Sequence, residues 1–221
     1  MQEQELVGGG CLSSKTLSNK AELRCHKILD VAYRLFLDNG YENVSMNDIV
    51  KYAGGSLATV YKHFGSKEQL LVHVLERKNE ELFELWKHLS ISHQGHVEEF
   101  LYAVGKIFLE LVTTEDAILF HRLIVGLGYM QDIKLSETIM QTIMTRPTKI
   151  IADFLDEEKR RGRIKVEDTL LCARQFLHAL KEPFLLPMLL GVKSDVTEKE
   201  CMSALHQAVK LFCYGLIISK Q

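Results

Sequence analysis

The chain has 221 residues, 47% of them hydrophobic and 25% charged, with three prolines and a formal net charge of −2. These values describe an ordinary globular protein and exclude a polycation. Five cysteines, none in a Cys-x-x-Cys pair, predict reduced thiols in a reducing cytoplasm rather than a disulfide framework.

Residues 1–18, with Gly8-Gly9-Gly10, read as a flexible arm. The acidic start lacks the basic-then-apolar order of a signal peptide, and the stretch from Pro183 to Val192 is too short to span a bilayer, so no membrane partner is expected. Between Lys15 and Lys67 there are eight Lys/Arg against five Asp/Glu, a local +3 that leaves −5 on the remainder. A basic end on an acidic body suits an anionic partner such as DNA phosphate.

A first helix is predicted over 20–38, with Ile28, Val31, Ala32, Leu35 and Phe36 on one face, stopped by Asn39-Gly40. Ser45 and Asp48 form an acidic capping box ahead of a short helix with Met46, Ile49, Val50 and Ala53 inward. Gly54-Gly55 breaks it. Ser56 caps a second short helix over 57–64, in which Val60 and Phe64 are one turn apart. After Gly65, Ser66 and Gln69 read as another box opening a long helix over 67–89, with Leu70, Leu71, Val74, Leu75 and Leu82 inward.

Further helices are expected near 97–112, 116–128, 134–161, 166–190 and 198–219, about nine in all, giving an all-α fold. The charged run from Asp156 to Arg163 reads as a solvated helix end. Pro183 and Pro187 should kink their helix and open space beside it. The stretch from Leu177 to Leu190 is apolar apart from His178, Lys181 and Glu182, and His178 and Lys181 are candidates for a ligand pocket walled by Phe108, Phe120 and Ile124. The last helix is apolar on nearly all sides (Leu205, Val209, Leu211, Phe212, Tyr214, Leu216, Ile217), as a subunit interface would require. His93 and His96 lie three apart with His88 nearby, but no Cys, Asp or third ligand has ligand-like spacing, so neither a metal nor a cofactor is expected.

Two short capped helices joined by a glycine turn and braced on both sides make the helix-turn-helix plan. The residues that build it resemble the DNA-binding domain of TetR-family regulators: Ile28-Leu29-Asp30-Val31-Ala32, Leu35-Phe36, Gly40-Tyr41, Ser45, Asp48-Ile49, Ala53-Gly54-Gly55-Ser56, Thr59 to Phe64 and Ser66 to Leu70. The body is similar, more loosely, to the AcrR-like efflux-pump repressors through Leu119 to Leu123, Gly162-Arg163-Ile164 and Ala173 to Leu177.

This resemblance implies a reader at 19–66, and an effector-binding domain at 67–221 that forms a homodimer through its last two helices. It implies that Ser45 and Ser56 cap helices facing phosphates, and that Leu57, Ala58, Thr59, Tyr61 and Lys62 lie on the recognition helix. Tyr61, His63 and Lys67 would hold phosphates, and Thr59 a base. The partners implied are a pseudo-palindromic double-stranded operator and a small amphipathic effector that releases a cytoplasmic repressor from it. Gly55 replaces a small branched residue, and Leu57 and Ala58 replace polar ones. The recognition helix therefore carries few base-reading donors, which points to thymine-methyl contacts or shape readout. The double glycine would leave it loosely ordered without DNA. No nucleophile–base pair or phosphate loop supports an enzyme; an effector-independent activator or architectural binder stays open.

Overall fold

Three serines, each one residue ahead of an apolar-periodic run, set the N-terminal architecture. The computed structural model describes residues 19–128 and 132–216, so the expected arm over 1–18 and the last residues of the final helix lie outside the described residues. Helix α1 (Asn19–Asn39) ends at Gly40, whose φ of 78° no L side chain takes up easily. Ser45 opens α2 (Met46–Ala53) with both halves of a capping box: its hydroxyl accepts from the Asp48 amide and the Asp48 carboxylate accepts from the Ser45 amide at 2.9 Å. Ser56 opens α3 (Leu57–Phe64) by accepting from the Thr59 amide. Ser66 opens α4 (Lys67–Ser92) by accepting from Gln69, but the return half is not made, because the Ser66 amide donates to the Phe64 carbonyl instead.

The body follows as α5 (Val97–Val112), α6 (Glu115–Leu127), α7 (Ile133–Met140), a π-helical turn (Gln141–Thr145), α8 (Arg146–Arg160), α9 (Thr169–Leu189) and α10 (Glu198–Leu216). There is no β-strand among the described residues. Among the described residues helices are found where they are expected, nine rods if 133–160 is taken as one. That rod is not uniformly α. Pro147 cannot donate to the Ile143 carbonyl and its ring crowds the preceding turn, and the winding widens to a π turn immediately before it. Helix α9 begins at Thr169 rather than 166, because Asp168 accepts from the Leu171 amide at 2.8 Å and is the better cap.

Two hydrophobic cores are stacked along α4. The first joins Ile28, Ala32 and Phe36 of α1, Ile49 of α2, Val60 and Phe64 of α3, and Leu70, Leu71, Val74 and Leu75 of α4. It is closed by Leu123 and Leu127 of α6 and Leu135 and Ile139 of α7. The second gathers Trp86 of α4 with α5, α8, α9 and α10 around Phe100, Leu155, Phe176 and Leu205. A single helix thus starts under one core and ends under the other.

The run from Asp156 to Arg163 is not simply solvated. Glu158 is fully buried, accepts from the Gly95 amide at 3.0 Å and is paired with the Arg163 guanidinium through two nitrogens. The chain turns back at Gly162, and this brings Arg163 over a carboxylate that periodicity alone places on a polar helix end. The Arg163 bond holds the Glu158 carboxyl below its ordinary value of 4.5. A depressed carboxylate stabilises the fold above the unfolded value and loses that contribution as pH falls through the folded one. Acid unfolding followed by circular dichroism is therefore expected to show a loss of stability below about pH 4.5 that Glu158→Gln flattens.

Cys172, Cys201 and Cys213 are free thiols. Burial pushes the Cys213 thiol up to about 11, far from a reactive thiolate.

Candidate nucleic-acid interface and effector cavity

Helix α3 is eight residues long, too short to be stable alone, and is held from beneath. Val60 and Phe64, 1% and 2% exposed, anchor it in the first core. The opposite side is open: Tyr61 is 46% exposed, and Ala58 and Lys62 are also exposed. Leu57, Thr59 and His63 are half-buried at its flanks. The Thr59 and Ser56 hydroxyls lie 2.8 Å apart, so the base-contact candidate is engaged with the cap. Lys67 is half-buried. Its ammonium lies 4.2 Å from the Tyr41 ring centroid and donates to the Glu42 carbonyl at 3.4 Å, and burial lowers its pKa. Ser45 is exposed at the start of α2, with its side chain committed to Asp48.

The turn between α2 and α3 explains the missing branched residue. Gly54 and Gly55 have φ of 81° and 104°. The Arg24 guanidinium from α1 occupies the space a Gly55 Cβ would need. The turn is thus filled by a long side chain from another helix, and α3 is a complete, capped helix. Gly55→Ala is expected to cost about 1–3 kcal/mol, read as a lower urea midpoint, because the backbone must leave its positive φ.

Between α4, α5, α6, the π turn and α9 lies a cavity of about 660 Å³, within the range that takes a drug-sized ligand. All five pocket candidates line it: Phe108, Phe120, Ile124, His178 and Lys181. So do Trp86, Ile143, Met144 and Leu177, which extend the apolar wall. The α9 lining ends at Lys181, before Pro183, so neither proline lines the cavity. His178 is largely exposed, while Lys181 is half-buried and held below its ordinary pKa by that burial.

Sequence reasoning did not place His121 and Arg174 in the lining. A signal existed for the first: Ala117, Phe120, His121 and Ile124 recur at three and four along α6 and share one face. The His121 Nδ1 lies 2.7 Å from the Ala117 carbonyl, which can only accept, so Nδ1 carries the proton. Burial and the nearby Lys181 lower the His121 pKa, leaving Nε2 as an acceptor.

The cavity wall touches α1 of the first core. Asp116, on its rim, accepts from Arg34 of α1 at 2.7 Å. Lys78 of α4, also on the lining, lies 3.7 Å from Asp30 of α1 and 4.5 Å from the Tyr33 ring centroid. On the far side, Leu205 and Val209 of α10 are buried within the monomer, but Leu211 and Tyr214 are 69% and 84% exposed. Leu171 and Leu186 of α9 and Leu190, which caps it, are exposed as well. No group of three His, Cys, Asp or Glu able to hold a metal occurs among the described residues, and none of their helices is long and apolar enough to cross a membrane.

Residues 28–74 match the family profile for bacterial regulatory proteins of the tetR family, and residues 99–215 match the AefR-like transcriptional repressor C-terminal domain. The HTH-type transcriptional regulator QacR of Staphylococcus aureus is 36% identical over 74 residues, covering 34% of this chain and 39% of that protein. The match to this curated relative thus spans well under half of its length.

Among solved structures, a TetR-family transcriptional regulator from Mesorhizobium loti superposes with a TM-score of 0.78 at 20% identity, covering 91% of this chain and all of the other. The flavonoid-responsive regulator FrrA gives 0.71 at 22% identity, over 90% and 99% of the two chains. FadR from Bacillus subtilis in complex with stearoyl-CoA gives 0.67 at 21% identity, over 86% and 98%.

Proposed function

The chain belongs to the TetR family of bacterial transcriptional regulators, and on that premise we propose that it is a dimeric, sequence-specific repressor released from its operator by a small amphipathic ligand. The observation that carries the reading is the division of α3: its inner side is locked into the first core while Ala58, Tyr61 and Lys62 face solvent. A braced helix with a free outer side is the form that enters a major groove. Tyr61 and Lys62 would hold phosphates, with His63 beside them, and the amides at the Ser45- and Ser56-capped helix starts would face the backbone. Lys67, turned toward Tyr41, would support the reader more than it reaches out. With Leu57 and Ala58 at the tip, sequence would be read through methyl contacts and groove shape.

The exposed leucines of α9 and the Leu211–Tyr214 face of α10 support a homodimer through these two helices. Two readers would then sit about 34–36 Å apart, one turn of a pseudo-palindromic site. A cytoplasmic location follows from work on DNA. The effector would enter the 660 Å³ cavity. Because Asp116 and Lys78 tie its wall to α1, a ligand that prefers another arrangement of α4 and α6 would draw the population away from the DNA-competent spacing.

The test is a gel shift on a library of double-stranded fragments combined with sedimentation. A dimer selecting a two-fold site, with affinity falling steeply with salt, is expected. A monomer with no sequence preference would overturn the reading. A Leu211→Glu, Tyr214→Glu variant is expected to sediment as a monomer and to lose operator binding while keeping its helical spectrum.

A further inference from the structure

Resting on the reading of the cavity as the effector site, we infer that its ligand is an amphipathic anion: a chain against the apolar wall and a negatively charged head beside Lys181, His121 and His178. The inference starts from an imbalance of charge. Lys181 projects from α9 into a cavity walled by Trp86, Phe108, Phe120 and Ile124, and no carboxylate pairs with it among the described residues. A half-buried ammonium without a counterion is unfavourable, and an anion entering the cavity relieves that cost.

Its neighbours repeat the pattern. Lys181 acts electrostatically on both His121 and His178, and Arg174, one turn away on α9, acts on His178. The carboxylates on the lining, Glu115 and Asp116, lie in the first turn of α6. Asp116 is held by Arg34. Lys78, the remaining lining cation, is turned toward Asp30 and Tyr33. One part of the cavity is therefore cationic, and its counter-charge is missing.

The donor chemistry adds a second consequence. With its Nδ1 proton given to the Ala117 carbonyl, neutral His121 offers an incoming anion only an acceptor. An anion head seated there favours the imidazolium, so binding takes up a proton and tightens as pH falls. A cationic head would meet the same groups as repulsion, and a neutral one would leave Lys181 unpaired.

The chain supplies its own reporter: Trp86 is its single tryptophan and forms part of the wall, 6.1 Å from the Phe108 ring. Decyl sulfate, 1-decanol and decyltrimethylammonium, used below their micelle-forming range, share a tail and differ in charge. Titrated into the full-length dimer, decyl sulfate is expected to change Trp86 emission saturably and at least about tenfold more tightly than the ammonium. Lys181→Gln is expected to lose about tenfold for decyl sulfate and nothing for decanol, and Lys181→Arg to restore the sulfate. Thermal melts of both variants show whether either simply unfolds. Calorimetry in buffers of different ionisation heat is expected to show proton uptake of up to about one per site, reduced in His121→Gln.

Equal or tighter binding of the ammonium, an unchanged affinity in a folded Lys181→Gln, or no saturable binding of any of the three overturns the inference. Selective binding of the anion without operator release supports it and instead overturns the reading of the cavity as the regulatory site. A protein that ignores every DNA fragment yet binds decyl sulfate selectively does the same to the repressor reading.

Discussion

A Tyr61→Ala, Lys62→Glu variant is expected to bind its operator on the order of a hundredfold more weakly than the parent dimer. Both side chains are exposed on α3, whereas the anchors Val60 and Phe64 are buried. Such surface changes alter folding stability by about 0.5 kcal/mol or less, so a melting temperature close to the parent's is part of the expected result. Replacing a lysine at a phosphate removes one counterion's worth of salt dependence, and the slope of log affinity against log salt should become shallower by about one. Fluorescence anisotropy with a labelled operator at several salt concentrations measures both quantities. An unchanged affinity in a folded dimer would place the DNA contact elsewhere on the molecule and remove α3 from the recognition role.

Trp86→Ala is expected to be among the most damaging single substitutions, destabilising the fold by about 3–5 kcal/mol. The ring is fully buried where α4 meets the second core, and it also forms part of the cavity wall. Truncation removes its contacts and leaves a void that merges with the existing cavity, so the surroundings have little to collapse onto. Urea unfolding gives the loss directly. A cost below about 1 kcal/mol would mean that the second core does not depend on this residue. Trp86→Phe, which keeps most of the volume, should recover the greater part.

The reader was legible in the sequence because its structure is punctuated. Gly40, Gly54-Gly55 and Gly65 end helices, Ser45, Ser56 and Ser66 begin them, and the 3.6-residue period fixes which side of each points inward. Those signals are local, and the structure follows them with one exception, the unmade half of the Ser66 box. What could not be read is whatever depends on packing between distant segments. The π turn over 141–145 is a different case, a local signal left unread, since Pro147 lies inside the expected 134–161 helix and cannot donate to the turn before it.

Glu158 looked solvated because its partner, Arg163, reaches it only after the chain reverses. Arg24 was invisible as the filler of the Gly55 turn, since nothing in its own segment points there. Phe108, Phe120, Ile124, His178 and Lys181 do meet around one cavity, but the prolines expected to create that space do not line it.

The first core has a consequence for how such regulators can be recombined. Leu123, Leu127, Leu135 and Ile139, all supplied from beyond residue 100, complete the packing beneath α1 to α3. A chimera that transplants residues 19–66 onto a foreign body would seat the head on a surface shaped for someone else's side chains. Successful grafts should be those that carry the matching faces of α6 and α7 along with the head; with α3 in its proposed role, changing its outer residues would disturb this packing less than exchanging the whole module.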